Sequence, residues 1–571
     1  MCGIAALIGE NEEREIREMT RLAAHRGPDG EGIKLFPFGA LGHRRLSILD
    51  LSELGSQPFC DPSGRYWITY NGEIYNYLEL RSELKALGHS FRTGTDTEVL
   101  LTAWIEWGEG ALQKFNGMFA FVIFDTQCDS FFAARDRFGV KPLYYYQRGR
   151  GVAFASEIKQ FTALNGWKAT VNHSRARDFL CRGVIDHTPE TLFSGVHQLE
   201  GGFLMQGSAK NFTVKRWYDP KPKPFEGSFE EAAELFCTLL TDAVRLRLRA
   251  DVEVGSCLSG GLDSSSIVCL MANALADKKM QKTFSAVSPI ARFDESPYMR
   301  AVIEKVQVEH FTVAPEAEEL LKKLEEIVYY QDEPFATTSV FAQWKVFELV
   351  KSRRVKVMLD GQGADEQMGG YHTFFGNHFY ELFRSLRLLH LLKEVRAAKR
   401  MHPGLTCWRR LAALMIPWRK VPRGFNEHLY LQTTRTNLPM LLHLEDRDSM
   451  AHSVESRTPF LDYRLVELSL SLPHHFQIRQ GVTKQVLRAG MEGILPEKIA
   501  RRVDKLGFAT PESHWALQHF EGPLHEALEH SSGYVDPGIK ARFEKMRAGK
   551  IAYSSEVWRV ISFGAWLRRF F

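Results

Sequence analysis

Several things are missing from this 571-residue chain, and each absence excludes a class of protein. No apolar run approaches the roughly 20 residues that a membrane span requires. The eight cysteines include no CxxC pair and no Cys/His cluster at zinc spacing, which argues against a structural metal or a disulfide framework. No basic stretch precedes the apolar start MCGIAALIG, and the run stops at Gly9 before acidic residues. It does not read as a signal peptide, so a cytoplasmic location is expected. Net charge is only +4, from 73 Lys and Arg against 69 Asp and Glu, so no bulk pull toward nucleic acid is expected. No internal repeat or low-complexity tract is visible. What remains is a chain too long for one ordinary core, which predicts two or more domains.

Pattern divides it. Short apolar strands alternate with glycine-containing turns at residues 2–8, 66–70, 119–125, 130–134, 143–146 and 152–155, with helical periodicity over 78–87 and 98–106. This is a sheet-rich α+β pattern. The run DPKPKPFEG (219–227) carries three prolines and reads as an extended linker. Beyond it, strands at 252–258, 282–287 and 356–359 alternate with helices at 229–250 and 264–276, the pattern of a parallel α/β sheet. The expected domains are 2–208 and 228–571, joined by a linker at 209–227. Residues 383–423 stand apart, with basic residues interleaved among LRLLHLL and WRRLAALMIPWRK. The simpler reading is a helical insert packed on the second domain with its charges in solvent; the alternative is docking on a membrane surface or an acidic partner.

Cys2 follows the initiator Met directly, and so small a side chain permits that Met to be removed. The freed α-amine, with a reference pKa of about 8, can then act as general base for its own thiol. Cys2 alone proves little, but it keeps specific company: HRGPDG (25–30), GHRRLSILD (42–50), YNGEIYN (70–76) and TGTDTEVLL (93–101). With these motifs in this order, the first 200 or so residues resemble the class II, N-terminal-nucleophile glutamine amidotransferases. The resemblance implies an N-terminal-nucleophile sandwich fold and gives Asn71 and Gly72 the role of oxyanion hole. It also implies a glutamine pocket in which Arg45 meets the α-carboxylate and Asp96 the α-ammonium, with Glu73 nearby and backbone around Leu46 and Ile48 lining it. Taken singly, Asn71 reads equally as an Asx-turn residue and Asp96 as a helix N-cap.

The second constellation is SGGLDSS (259–265), lying between an apolar strand pattern and a helical run. A glycine-rich turn there aims backbone N–H groups at an anion. The terminal GK[ST] of a Walker loop is missing. The motif is similar to the PP-loop of ATP pyrophosphatases, which form acyl-adenylates and release pyrophosphate. That resemblance implies an ATP site of Cys257, Leu258, Ser259, Gly260, Gly261, Asp263, Ser264, Ser265 and Ala286, joined by Asp360 and Gly361 from LDGQGADEQMGGY (359–371). It places Mg²⁺ on Asp263 and Asp365.

Further on, DRDSMAHSVESRTPFLD (446–462), GVTKQVLR (481–488) and RRVDKLGF (501–508) look like segments of the glutamine-dependent asparagine synthetases, and extend the resemblance over nearly the whole chain. It implies that Lys484 and Lys505 neutralise phosphate charge as pyrophosphate departs. Gln362 stands where many of that family have Glu, and Asp360 where they have Ser; Val287 replaces a more usual Gly. The implied partners are glutamine, ATP and aspartate or another small carboxylate, and a homodimer is admitted but not required. Two other readings stay open: the same half-reactions amidating a different carboxylate, and a non-catalytic scaffold.

Overall fold

The computed structural model describes residues 2–275, 281–405, 408–416, 421–504 and 510–571. Two six-stranded antiparallel sheets make up the N-terminal part. The first runs in the order Val196–Gln198, Tyr144–Arg148, Gly151–Ala155, Gly3–Ile8, Gly39–Arg45, Gly30–Phe36. The second runs Phe212–Arg216, Phe203–Ser208, Ser130–Arg135, Gly117–Asp125, Tyr66–Ile74, Phe59–Cys60. Alternation along Gly3–Ile8 explains how they stack. Ile4, Ala6 and Ile8 join Val122, Phe124, Phe131 and Phe154 in one core. Ala5 and Leu7 point the other way, against Ile16 and Met19 of the helix Glu13–Leu22. A strand covered on both faces reads as a continuous apolar run, which is why its sequence shows no alternation. The helices Tyr77–Ala86 and Asp96–Trp107 cover the outside of the second sheet through Leu80, Leu84, Val99 and Leu100, packed with Ile68, Tyr70 and Phe121. The result is a helix–sheet–sheet–helix sandwich, and the expected α+β class holds.

The strands that sequence reading missed have physical reasons for being missed. Gly30–Phe36 is a half-exposed edge strand without an apolar face, and its partner Gly39–Arg45 is rich in glycine and arginine. Phe212–Arg216 lies inside the stretch expected to be linker, and pairs antiparallel with Phe203–Ser208.

The C-terminal part is built on a five-stranded, wholly parallel sheet in the order Glu309–Val313, Lys282–Ala286, Val254–Cys257, Val357–Leu359, Glu455–Arg457. Its first helix, Phe229–Arg247, starts where Ser228 and Glu231 form a reciprocal capping box, at 3.1 and 2.7 Å. That helix buries Phe236, Leu240 and Val244 against Leu258, Ile267, Val268 and Leu359. Strand order reverses between Val254–Cys257 and Val357–Leu359, so the loops leaving these two neighbours open a crevice at the strands' C-terminal ends. SGGLDSS and DGQGADE are those two loops. The three-residue strand Glu455–Arg457 was invisible to pattern reading because its ESR sequence is polar, yet it is completely buried. Residues 373–415 contribute the helices Thr373–Arg384, Leu388–Met401 and Trp408–Met415.

Candidate active sites

Around Cys2 the side chains converge as their motifs suggest. Cys2 is buried at the start of the central strand, its backbone N–H donating to Asn71 Oδ1 at 2.9 Å and its carbonyl accepting from Arg26 Nε at 3.0 Å. Because Oδ1 is committed to Cys2, the Asn71 amide must turn Nδ2 the other way, and that buried nitrogen has no hydrogen-bond partner. It is a donor held ready. Asn71 is therefore a strand residue rather than an Asx-turn residue. Next to it, a Cβ on Gly72 would lie 2.2 Å from the Met118 carbonyl oxygen, so glycine alone lets the two strands approach here. Burial pushes the Cys2 thiol pKa up, opposed by the backbone N–H of Leu46 and the charge of Arg45. A thiol in that state needs a base to become a nucleophile.

The charged pair expected to hold an amino acid is also present. Arg45 is partly exposed, its guanidinium steered by the carbonyls of Ser52, at 2.6 Å, and Asp50. Asp96 is not the cap of its helix; Thr95 takes that place, accepting from the Glu98 N–H at 3.3 Å. The Asp96 carboxylate turns inward and accepts from the Tyr70 hydroxyl at 2.7 Å and the Ile74 N–H at 2.9 Å. Burial raises its pKa to about 6. Burial, with the neighbouring charges of Asp96 and Glu455, also raises Glu73 well above the usual carboxylate range. Leu46 and Ile48 are buried beside them.

In the second part a cavity of about 610 Å³ opens at the crevice and is lined by Cys257, Leu258, Ser259, Gly261, Asp263, Ser264, Asp360, Gly361, Gln362, Asp365 and Lys484. Ser259 and Ser264 tie the phosphate-type loop together, Oγ to Oγ at 3.0 Å. Gly260 takes a φ of +72°, and a Cβ there would lie 2.7 Å from Cβ of Tyr298. Lys484 reaches both Asp263, at 2.6 and 2.7 Å, and Asp365, at 2.6 Å. Two carboxylates that meet one ammonium point at one place, beside a loop built for phosphate. That donor set fits Mg²⁺, which takes one or two carboxylates and completes its shell with phosphate oxygens and water. Asp360 is raised by burial and accepts from the Gln362 N–H at 3.0 Å.

Three expected residues, Gly260, Ser265 and Ala286, are not among those that line this cavity. Ser265 is buried within its helix, and Ala286 lies at the end of its strand, in a small adjoining pocket shared with Ser259. Lys505 lies outside the described residues.

An asparagine synthase family model matches residues 236–568, more than half of the chain, and a glutamine amidotransferase domain model matches residues 1–218. The chain belongs to the asparagine synthase family. It is 30% identical to glutamine-hydrolyzing asparagine synthetase 1 of Bacillus subtilis, over 99% of this chain and 96% of that one. It is 35% identical to putative glutamine-hydrolyzing asparagine synthetase 2 of Methanocaldococcus jannaschii, over 68% of this chain and 78% of that one. It is also similar to amidase chry2 of Gibberella zeae, at 26% identity over 92% and 91% of the two chains.

In this member of the family, the structure adds residues to which sequence reading gave no role. Arg26, which holds the Cys2 carbonyl, is fully buried and bonds Glu157 at 2.8 Å and Asp446, in the second part, at 2.8 and 3.1 Å. Arg457 is likewise fully buried. Its guanidinium pairs with Glu455 at 2.5 Å and approaches Glu73 at 3.6 Å, while its backbone carbonyl accepts from the Asp360 N–H at 2.9 Å. One residue thus touches both candidate sites. Arg488 and Arg502 add two cations to the wall of the nucleotide-type cavity. Each of these arginines lies inside a recognisable motif, but its partners are up to 420 residues away in sequence, where no local pattern could show them.

Proposed function

We propose that this enzyme is a glutamine-dependent asparagine synthetase, converting aspartate, ATP and glutamine to asparagine, glutamate, AMP and pyrophosphate. The observation that carries the reading is the pairing, on one chain, of an amidohydrolase-type nucleophile with a nucleotide-type crevice, bridged by Arg457. The proposed division puts the amidotransferase domain before the proline-rich run at 219–227 and the synthetase domain from residue 228 onward.

In the first half-reaction the α-amine freed at Cys2 takes the thiol proton, and sulfur attacks the side-chain amide carbon of glutamine. The oxyanion is stabilised by Asn71 Nδ2, a donor already buried and unpartnered, together with the Gly72 N–H. The proton passes to the departing ammonia, and water hydrolyses the thioester. Arg45 binds the α-carboxylate of glutamine; Asp96, with Glu73, binds its α-ammonium.

In the second, aspartate's side-chain carboxylate attacks the α-phosphorus of ATP and pyrophosphate leaves. The SGGLDSS loop cradles the phosphates, with Cys257, Leu258, Ala286, Asp360 and Gly361 toward the nucleoside. Mg²⁺ held by Asp263 and Asp365 would supply charge neutralisation to the phosphates. Lys484, with Lys505, stabilises the departing pyrophosphate, and Gln362 faces the reacting carboxylate as a neutral hydrogen-bonding group. Ammonia then attacks the acyl-adenylate and AMP leaves. Ammonia must stay neutral and the adenylate dry, which favours transfer through the interface around Tyr75, Glu455 and Arg457, all buried.

Pyrophosphate release with glutamine, ATP and Mg²⁺ across a panel of carboxylates tests the assignment. Aspartate should react; if it is inert while another acid reacts, the assignment fails. Asparagine formation from glutamine should also survive an ammonia scavenger, and full quenching would overturn the sheltered transfer.

A further inference from the structure

The helix Leu388–Met401 is fixed along one side only. Its buried Glu394 accepts the backbone N–H groups of Gln480 and Gly481, at 2.9 and 3.2 Å, and a Cβ on Gly481 would lie 2.6 Å from the Ala398 nitrogen. The opposite side, the turn before it and the end of the preceding helix hold five exposed apolar side chains, Leu388, Leu389, Leu392, Leu386 and Phe383, with Leu386 82% and Leu389 79% exposed. Arg384, Arg387, Lys393, Arg396, Lys399 and Arg400 surround them, all exposed. Glu381 pairs with Arg384 at 3.4 Å; among the described residues no carboxylate comes within ion-pair distance of Arg387, Lys393, Arg396 or Arg400. The insert expected to pack with its charges in solvent does expose those charges, but its leucines are in solvent too.

Charge is segregated in the same place. Residues 383–423 hold 11 of the 73 Lys and Arg but one of the 69 Asp and Glu, Glu394, so the rest of the chain is net acidic. We infer that this face docks on an anionic lipid bilayer surface, the leucines entering the acyl boundary while the cations meet headgroup phosphates. Exposure and charge favour that occupant over others. Leu386 and Leu389 stand about four-fifths exposed, so a folded partner would have to supply a pocket for each, whereas a fluid bilayer needs none. A second copy of the same face would set six cations against six. Apolar insertion and a basic rim are also the two signals whose combination gives stable peripheral binding where one alone is marginal.

The test is flotation of the full-length protein with vesicles of phosphatidylcholine alone and of phosphatidylcholine mixed with phosphatidylglycerol. Binding should be at least about tenfold stronger to the anionic vesicles and fall with added salt. It should drop about tenfold or more in the Leu386→Asp/Leu389→Asp variant and in Arg396→Gln/Lys399→Gln/Arg400→Gln, with thermal stability and glutaminase rate unchanged. Equal binding to both vesicle types, or wild-type binding by the leucine variant, overturns the inference. So does capture of polyglutamate as strong as that of vesicles and indifferent to the leucines, or a dimer that the leucine variant dissolves without any lipid affinity in the wild type.

Discussion

Replacing Asn71 by Ala should separate catalysis from folding in the first site. In the folded chain the Asn71 side chain makes one hydrogen bond, from the Cys2 N–H to Oδ1, and leaves Nδ2 buried without a partner. Losing the bond costs about 1 kcal/mol, and the Cys2 N–H left behind adds about 1–3 kcal/mol. Removing an unpartnered buried donor returns a similar amount, since its desolvation penalty of about 1–3 kcal/mol disappears. The net change in stability should therefore lie within about 3 kcal/mol. The oxyanion has no such compensation: removing one preorganised donor typically lowers kcat by about 10²–10³. Glutamate release should fall by that factor with a nearly unchanged glutamine KM, because Nδ2 meets charge that develops only after sulfur attacks. Ammonium-dependent pyrophosphate release should stay within about threefold of wild type. Steady-state kinetics in both modes, with a thermal melt, check all three numbers. A glutaminase rate within about fivefold of wild type would refute the assignment of Nδ2 to the oxyanion, and equal loss in both modes would refute the independence of the sites.

Cys2→Ala should abolish glutamine use and retain ammonium-dependent synthesis; glutamate and pyrophosphate measured side by side will tell. Asp96, held up to about 6 by burial, is protonated in the folded enzyme below that pH, whereas in the unfolded chain it ionises at about 4. The folded state thus holds the extra proton between about 4 and 6, so this group's contribution to stability falls as pH rises through that window. Glutamine binding needs the ionised form, so kcat/KM for glutamine should drop below about pH 6 with no matching loss of stability; a profile flat down to pH 5 would contradict the role. Lys484→Met leaves Asp263 and Asp365 facing each other, and should cut pyrophosphate release at least about 10²-fold while glutaminase activity stays within a few-fold. Lost glutaminase activity would mean that the lysine supports the fold rather than the phosphates.

Legibility from sequence followed the range of the interactions. Gly3–Ile8 and Gly117–Asp125 showed as strands because both faces of each are apolar, and the SGGLDSS turn showed because glycines and serines must lie next to one another in sequence to wrap an anion. Asp96 was found through the family pattern, but taken alone it was ambiguous. Its position at a helix start suggests a cap, and only the three-dimensional partners Tyr70 and Ile74 reveal a carboxylate turned inward. Arg45 and Asn71 could be matched to roles through a family pattern, but the orphan nitrogen of Asn71, the detail that gives the role physical content, exists only in the folded chain. The strand Glu455–Arg457 was out of reach altogether, since two of its three residues are charged and fully buried, against every compositional rule for a strand.

That exception explains how the two halves are held together. Arg26, Glu157, Lys159, Asp332, Asp446 and Arg447 are all nearly inaccessible to solvent, and link the two parts through contacts of 2.5 to 3.6 Å. An apolar interface of the same area would bind as well and could slide. A buried network cannot, because displacing one partner strands a charge at a cost of about 3–5 kcal/mol. Such a network buries ions for the sake of orientation rather than net stability. Orientation is what the proposed chemistry needs: Arg26 fixes the Cys2 carbonyl and hence the nucleophile, and Arg457 sets the Asp360 backbone and hence the nucleotide loop. Both arginines are locked by carboxylates from the interface itself, Asp446 for one and Glu455 for the other. The distance between the site that releases ammonia and the site that consumes it is therefore set by side chains whose alternatives are expensive. An interface that constrained can keep a reactive adenylate and a neutral amine in register without a large conformational change.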